Sequence, residues 1–257
     1  MSYHLLELDE PTPVLELRRK SDSPFVIAVD HASRRIPRKL GSLGLPPTEL
    51  SRHIAWDIGA LEVAKRLSAA LGATLVAQNY SRLVIDCNRS LDAPSSIPEI
   101  GELTPIPGNM HLSGLEITAR RAEIFQPYHD HLSDLLDERM RAGQSTILVV
   151  QHSMTDVFLG VQREMHTAVL YDKDRRLAGA LLDALRIEPH LIVGDNEPYS
   201  GQSGTGFTLP NHAVPRGLPH AEIEIRQDLI LDEVGQAEWA QRLTDAFKNV
   251  RETLGIV

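Results

Sequence analysis

Ser145–Ser153 reads STILVVQHS, an apolar, β-branched run that closes on a histidine and a serine. Such a run predicts a buried strand that carries polar chemistry at its end. Working outward, FVIAVDHA (Phe25–Ala32) has the same form and ends near Asp30 and His31. ATLVAQ (Ala73–Gln78), RLVIDCN (Arg82–Asn88), AVLYD (Ala168–Asp172) and LIVGDN (Leu191–Asn196) read as further strands, and HAEIEIRQD (His220–Asp228) alternates as one. Pro46–Leu71 has helical periodicity, with Thr48 as its N-cap and Gly72 as its stop. Gly114–Ala142 is helical with an interruption at Pro127, Asp174–Arg186 is helical, and Gln236–Leu254 is an amphipathic helix. Strands separated by helices predict a mainly parallel sheet covered on both faces, with ligands at the carboxyl ends of its strands. Two Gly/Pro-rich stretches, Arg89–His111 and Asn196–Pro219, read as functional loops rather than boundaries, so residues 1–257 are expected to form one α/β domain.

Composition narrows the function. The chain has 257 residues, 42% hydrophobic and 24% charged, with a formal net charge of -9. An acidic chain with 5% aromatics lacks the basic stripe and stacking platform of a nucleic-acid binder. No apolar run reaches the roughly 18 residues of a membrane span, and the first residues do not form a secretory signal, so the expected compartment is the cytoplasm. The single cysteine, Cys87, excludes an internal disulfide and a thiolate-rich metal site. Eleven histidines turn any metal hypothesis toward nitrogen and oxygen ligands. Nothing in the sequence indicates an oligomeric state.

The strand ends gather Asp30 and His31, then Asp86, Asn88 and Arg89, then His152 and Ser153, with Glu222 and Glu224 on the late strand. Asp57 sits beside Trp56 in HIAWDIGA. Two imidazoles and a carboxylate, with a second carboxylate to spare, are the makeup of a catalytic zinc site. Each residue also has a structural reading. A histidine at a strand end is more often structural than a ligand, and Asp57 could cap the helix that follows. Asp86, Asn88 and Arg89 could form a loop network, and Glu224 could face outward. A serine hydrolase would need a G-x-S-x-G elbow, for which Ser203-Gly204-Thr205-Gly206 is a poor match. The glycines there lack the G-K-[ST] of a phosphate loop, and Cys87 reads as core.

Taken in order, VDHAS (Val29–Ser33), HIAWDIGA (His53–Ala60), SRLVIDCNRS (Ser81–Ser90), QPYHDHL (Gln126–Leu132), VVQHS (Val149–Ser153) and EIEIRQDLI (Glu222–Ile230) resemble the N-formylglutamate amidohydrolase family. The resemblance implies a three-layer α/β/α fold of the phosphorylase/hydrolase type, with a mainly parallel mixed sheet. It also implies a hydrolase, dependent on zinc, that converts N-formyl-L-glutamate to formate and L-glutamate in bacterial histidine breakdown. By similarity to zinc carboxypeptidases, His31 and His152 are expected as metal ligands, Asn88 and Arg89 as the binders of the substrate carboxylate, and Glu224 as general base. The carboxypeptidase position for the second ligand falls on Arg34, which cannot serve, so the matched block makes Asp57 the third ligand. Arg82 is expected to stabilise the oxyanion, and His212 or Arg216 to lie near the side-chain carboxylate. Manganese or cobalt are substitutes for zinc in such a donor set. The late loop departs from the family pattern, which leaves room for another N-acyl amino acid as the small anionic substrate. A carboxypeptidase-like peptidase or deacylase, and a non-catalytic anion-binding protein, are the alternatives.

Overall fold

The computed structural model describes residues 4–201, 204, 206–253 and 255. Strand β1 (Val14–Leu17) is followed by β2 (Phe25–Val29), the helical turn α1 (Pro47–Leu50), helix α2 (Ala60–Leu71) and β3 (Thr74–Gln78). A small hairpin, β4 (Ile100–Gly101) and β5 (Thr104–Pro105), precedes helices α3 (Gly114–Arg120) and α4 (Gln126–Arg141). Strand β6 (Ile147–Met154) leads into a second hairpin, β7 (Val157–Phe158) and β8 (Val161–Gln162). The rest is β9 (Thr167–Leu170), α5 (Arg176–Leu185), β10 (Val193–Asp195), β11 (His220–Arg226) and α6 (Glu233–Thr253).

Seven strands form one mixed sheet in the order β1-β3-β2-β6-β11-β9-β10. Strands β3, β2, β6 and β11 run parallel, whereas β9 is antiparallel to β11 and β1 to β3. The central strands β2, β3 and β6 are buried along their whole length, as expected where helices cover both faces. On one face Ile27, Val149 and Ile223 meet Val63 of α2, Leu181 of α5 and Phe247 of α6. On the other, Ala28, Leu148 and Val150 meet Tyr128, Leu132 and Leu135 of α4. The result is the three-layer α/β/α arrangement expected from the sequence.

Three local expectations need correction. Arg82–Asn88 is not a strand but a series of turns. Its apolar side chains are buried as predicted, yet its backbone is satisfied locally. Leu83 N donates to Ser81 Oγ, Val84 N to the Ser81 carbonyl, Asn88 N to Asp86 Oδ1 and Arg89 N to the Asp86 carbonyl. Short polar side chains thereby replace a ladder. The place beside β3 belongs instead to β1, which the sequence reading did not identify. Second, the Pro46–Leu71 helix is broken, and Thr48 is not its cap. Residues 51–59 form turns, and α2 starts after Gly59, at φ +77°, where a Cβ would lie 2.3 Å from the Ile230 carbonyl oxygen. Only glycine fits there. Gly72 ends α2 in the left-handed conformation, as expected. Third, the interruption near Pro127 is a π-helical turn, Arg121–Phe125, through which α3 runs on into α4. Proline has no N–H to donate into the preceding turn, and a widened turn absorbs that loss.

Candidate metal centre

The carboxyl ends of β2 and β6, the turn before α2 and the Arg82–Asn88 turns meet above the middle of the sheet. His31 leaves the end of β2, and His152 lies near the end of β6. Asp57 reaches them because the helix break places it against β2, with its backbone N donating to the His31 carbonyl at 2.9 Å. Its carboxylate does not cap α2, whose N-cap is Gly59 without a side-chain bond. Instead Asp57 Oδ2 lies 2.7 Å from His152 Nδ1, 3.4 Å from His31 Nδ1 and 3.3 Å from Ser153 N. Donor atoms of His31, Asp57 and His152 all fall within 4.8 Å of one another, and all three residues are buried.

Both imidazoles are held from behind in the same way. Each turns Nδ1 to Asp57 and Nε2 to another carboxylate. For His31 this is Asp86 Oδ1 at 2.7 Å, and for His152 it is Asp30 Oδ2 at 3.4 Å. Asp30 is itself fixed by Tyr128 Oη at 2.7 Å and Thr208 Oγ1 at 2.9 Å. A carboxylate on the far nitrogen fixes ring orientation and raises ligand basicity, the usual support of a metal-binding imidazole. His31 Nδ1 has no hydrogen-bond partner although it is buried. A buried orphan nitrogen aimed at a carboxylate and a second imidazole fits a divalent ion. The oxygen and nitrogen donors suit zinc, manganese or cobalt.

The second carboxylate comes from β11. Glu224 pairs in register with His152 on β6, and Glu222 with Val150, so both acids share the face that His152 occupies. Glu224 is buried and its Oε2 has no partner. Burial, reinforced by Asp57 and Glu222, pushes its pKa up to about 8 despite the opposing pull of His152. Elsewhere in the cluster attraction wins. Burial alone would push His152 down, but Glu222, Asp30 and Asp57 hold its imidazolium well above the ordinary range. Burial alone would raise Asp57 and Asp86. His31 and His152 keep Asp57 low, and Arg82 and His31 keep Asp86 low. The cluster is rich in acids and is built to hold positive charge. Neighbouring carboxylates with pKa values driven apart are the mark of an acid–base site.

A cavity of about 420 Å³ opens over this cluster and includes His31, Asp57, Arg82, Asn88, Arg89, His152 and Glu224 in its wall. Arg82 donates to Asp86 Oδ2 through Nε at 3.1 Å and Nη2 at 2.7 Å, and its Nη1 is 3.5 Å from Asp57 Oδ1. Asn88 Oδ1 accepts from Phe207 N at 2.8 Å and Thr208 N at 3.0 Å, which turns its amide nitrogen toward His152 and Glu222. Arg89 donates to the Asn88 carbonyl at 2.8 Å.

Two expected residues lie elsewhere. His212 is outside the cavity wall, with Nε2 2.9 Å from His129 Nδ1. Arg216 binds Asp137 Oδ1 at 2.7 Å and Ser133 Oγ at 2.7 Å, also away from the wall. Both tie the late loop to α4. Ser203 and Thr205 lie outside the described residues. Cys87 is buried, and burial pushes its thiol well up, which does not suit a nucleophile. The sequence reading missed the orienting roles of Asp30 and Asp86, although both stand in the runs quoted for the strand ends. It also missed Tyr199 and Phe158, which line the cavity from loops that carry no motif.

A sequence model of the family described as N-formylglutamate amidohydrolase matches residues 23–231. A gene product of Agrobacterium tumefaciens, known from its crystal structure, is 39% identical, with 98% of this chain and 100% of that one covered and a TM-score of 0.95. An N-formylglutamate amidohydrolase from Ralstonia eutropha JMP134 is 21% identical, covering 96% of this chain and 98% of that one at a TM-score of 0.69. A bacteriophage poly-gamma-glutamate hydrolase is 12% identical, covering 96% and 92% at a TM-score of 0.50. These last two likenesses speak for the fold alone. No curated protein sequence matches. No helix among the described residues is long and apolar enough to cross a membrane.

Proposed function

This chain belongs to the N-formylglutamate amidohydrolase family, and from that premise we propose that it hydrolyses the amide of N-formyl-L-glutamate or a related N-acyl amino acid with the help of one divalent metal, zinc by preference. The observation that carries the reading is the pair of imidazoles turned onto Asp57, with the unpartnered Glu224 carboxylate on the adjoining strand. His31, Asp57 and His152 would hold the ion. Bound there, it would polarise the acyl carbonyl and acidify water. Glu224 accepts the proton of the attacking water and returns it to the leaving nitrogen, and burial makes it a stronger base than an exposed carboxylate. Asn88 and Arg89 hold the substrate's α-carboxylate from the cavity wall, the guanidinium by paired hydrogen bonds. Arg82, oriented by Asp86, presents its positive charge where the oxyanion forms.

The test is elemental analysis of the purified protein before and after chelation, with formate release from N-formyl amino acids followed on the same samples. About one zinc per chain is expected, with activity that chelation removes and metal restores. His152→Ala should lose both metal and activity. Glu224→Gln should keep its metal and lose about 10²–10⁴-fold in turnover. A His152→Ala protein with full metal content would refute the ligand set, and a fast Glu224→Gln protein would move the base to Glu222.

A further inference from the structure

We infer that the cavity selects a substrate with one carboxylate and an uncharged, apolar side chain, an N-acylated amino acid of the leucine, methionine or phenylalanine type rather than N-formyl-L-glutamate. The inference rests on the amidohydrolase reading and narrows its substrate class.

Cations are scarce in the cavity wall. N-formyl-L-glutamate carries two carboxylates at neutral pH. Every Lys, Arg and His of the chain lies among the described residues, and those in the cavity wall are His31, His53, Arg82, Arg89 and His152. His31 and His152 belong to the metal-binding group. Arg82 is paired with both Asp86 and Asp57, and its remaining charge is assigned to the oxyanion rather than to a side-chain carboxylate. His53 is pushed below its usual range by burial, and its Nε2 lies 3.6 Å from Glu102 Oε2, so it offers a second carboxylate little. Arg89 then supplies one guanidinium where glutamate would need two. Arg163, close by, does not line the cavity. Its guanidinium stacks on Phe158 and Tyr199, at 5.1 and 4.9 Å from the ring centroids, and donates to Tyr199 Oη at 2.6 Å and to the Thr155 carbonyl. His212 and Arg216 point from the late loop to α4.

One end of the wall offers apolar surface instead. Beyond His152, β6 continues to Met154 and into the β7–β8 hairpin. Met154 and Phe158 line the cavity there, together with Ile54 and Ile100. Ile100 is 60% and Phe158 39% exposed, so both offer apolar surface that a substrate side chain could cover. The wall is preformed. Leu159 N, at the tip of one hairpin, donates to Glu102 Oε1 at 3.0 Å, at the tip of the other. Both tip residues hold positive φ, +49° for Leu159 and +56° for Glu102. Glu102 also pairs with Arg52, which engages that guanidinium too and leaves no spare cation at this end of the cavity wall among the described residues.

The zinc-loaded protein would be assayed on N-formyl-L-leucine, -methionine, -phenylalanine and -glutamate. The apolar substrates should exceed glutamate in kcat/KM by about 10-fold or more, the scale on which a pocket tells side chains apart. Calorimetric binding of the same four compounds to the Glu224→Gln protein should follow the same order. Ile100→Arg, which adds a cation to the wall, should shift the ratio toward glutamate by about 10-fold. A wild-type protein that prefers glutamate overturns the inference and leaves the amidohydrolase reading standing. If none of the four is hydrolysed, the deformylase form of that reading fails, and the binding order alone decides, tighter glutamate overturning the inference. Absence of binding by all four overturns both.

Discussion

Glu224 is a carboxylate whose burial beside Asp57 and Glu222 disfavours its charge, and its protonation is tied to folding. Its folded pKa of about 8 lies above the ordinary 4.5. Between those values the folded state holds a proton that the unfolded chain has released. Stability from this group is therefore complete at acid pH and falls as pH rises through that window. In the chelated protein, Glu224→Gln should unfold at a higher temperature than wild type at pH 8, by at least about 3 °C, with the gap closing toward pH 5. Thermal melts across pH would show it, and a gap that does not change with pH would place Glu224 in water. At this scale the sequence was informative about residue types. Two histidines, two acids and an Asn-Arg pair stand at run ends or in short motifs, where chemistry is visible. It could not say which nitrogen faces inward. That depends on Asp30 and Asp86 lying behind the rings, a contact made across 55 residues for His31 and Asp86. It also misplaced His212 and Arg216, because a loop rich in Gly and Pro gives no periodicity from which to read its direction.

Among the elements, the segment from Leu83 to Asn109 shows how buried backbone can be ordered without a ladder. Arg120 of α3 is 1% exposed and reaches back into it. Nη1 donates to the Val84 carbonyl at 3.0 Å and to Asn109 Oδ1 at 2.6 Å, and Nη2 to the Gly108 carbonyl at 3.1 Å. Arg120→Met keeps the apolar stem but strands these acceptors in the interior. It should cost about 2–4 kcal/mol in urea unfolding. It should also raise KM, because the same segment carries Asn88 and Arg89. An unchanged unfolding midpoint would mean that the loop holds itself. Apolar runs such as ILVVQHS declare their strands through burial on both faces. RLVIDCN is equally apolar, but Ser81 and Asp86 satisfy its backbone. Composition alone does not separate the two cases, since the difference lies in whether an edge of the sheet is vacant. β1 had filled it.

For the whole molecule the dominant fact is a concentration of negative charge in one place. Asp30, Asp57, Asp86, Glu222 and Glu224 crowd two imidazoles and Arg82, within a chain of net charge -9. A cation that binds this cluster in the folded state and not in the unfolded chain stabilises by mass action, about 2.7 kcal/mol at a hundredfold excess over its Kd. Melting temperature should therefore climb with zinc concentration in the wild type, and the slope should flatten in His152→Ala. A slope unaffected by that substitution would put the bound ion elsewhere. The likeness of fold was legible from the alternation of runs, and the ordered motifs carried the family. A mixed sheet was expected, but which strands are reversed was not legible, because β9 and β11 look alike whichever way they run.

That direction bears on how the protein is made. β11 lies between β6 and β9, and its residues come after all six of the other strands of the sheet. Until residues 220–226 emerge during synthesis, the nascent chain can form two partial sheets, β1-β3-β2-β6 and β9-β10, each with an open hydrophobic edge where the other should be joined. Such edges invite pairing with neighbouring chains. The strand that brings Glu224 is also the one that closes them. A ribosome-stalled product ending before residue 220 should thus depend on chaperones to stay dispersed, although it already contains His31, Asp57 and His152. The proposed general base and freedom from aggregation arrive in the same stretch of translation.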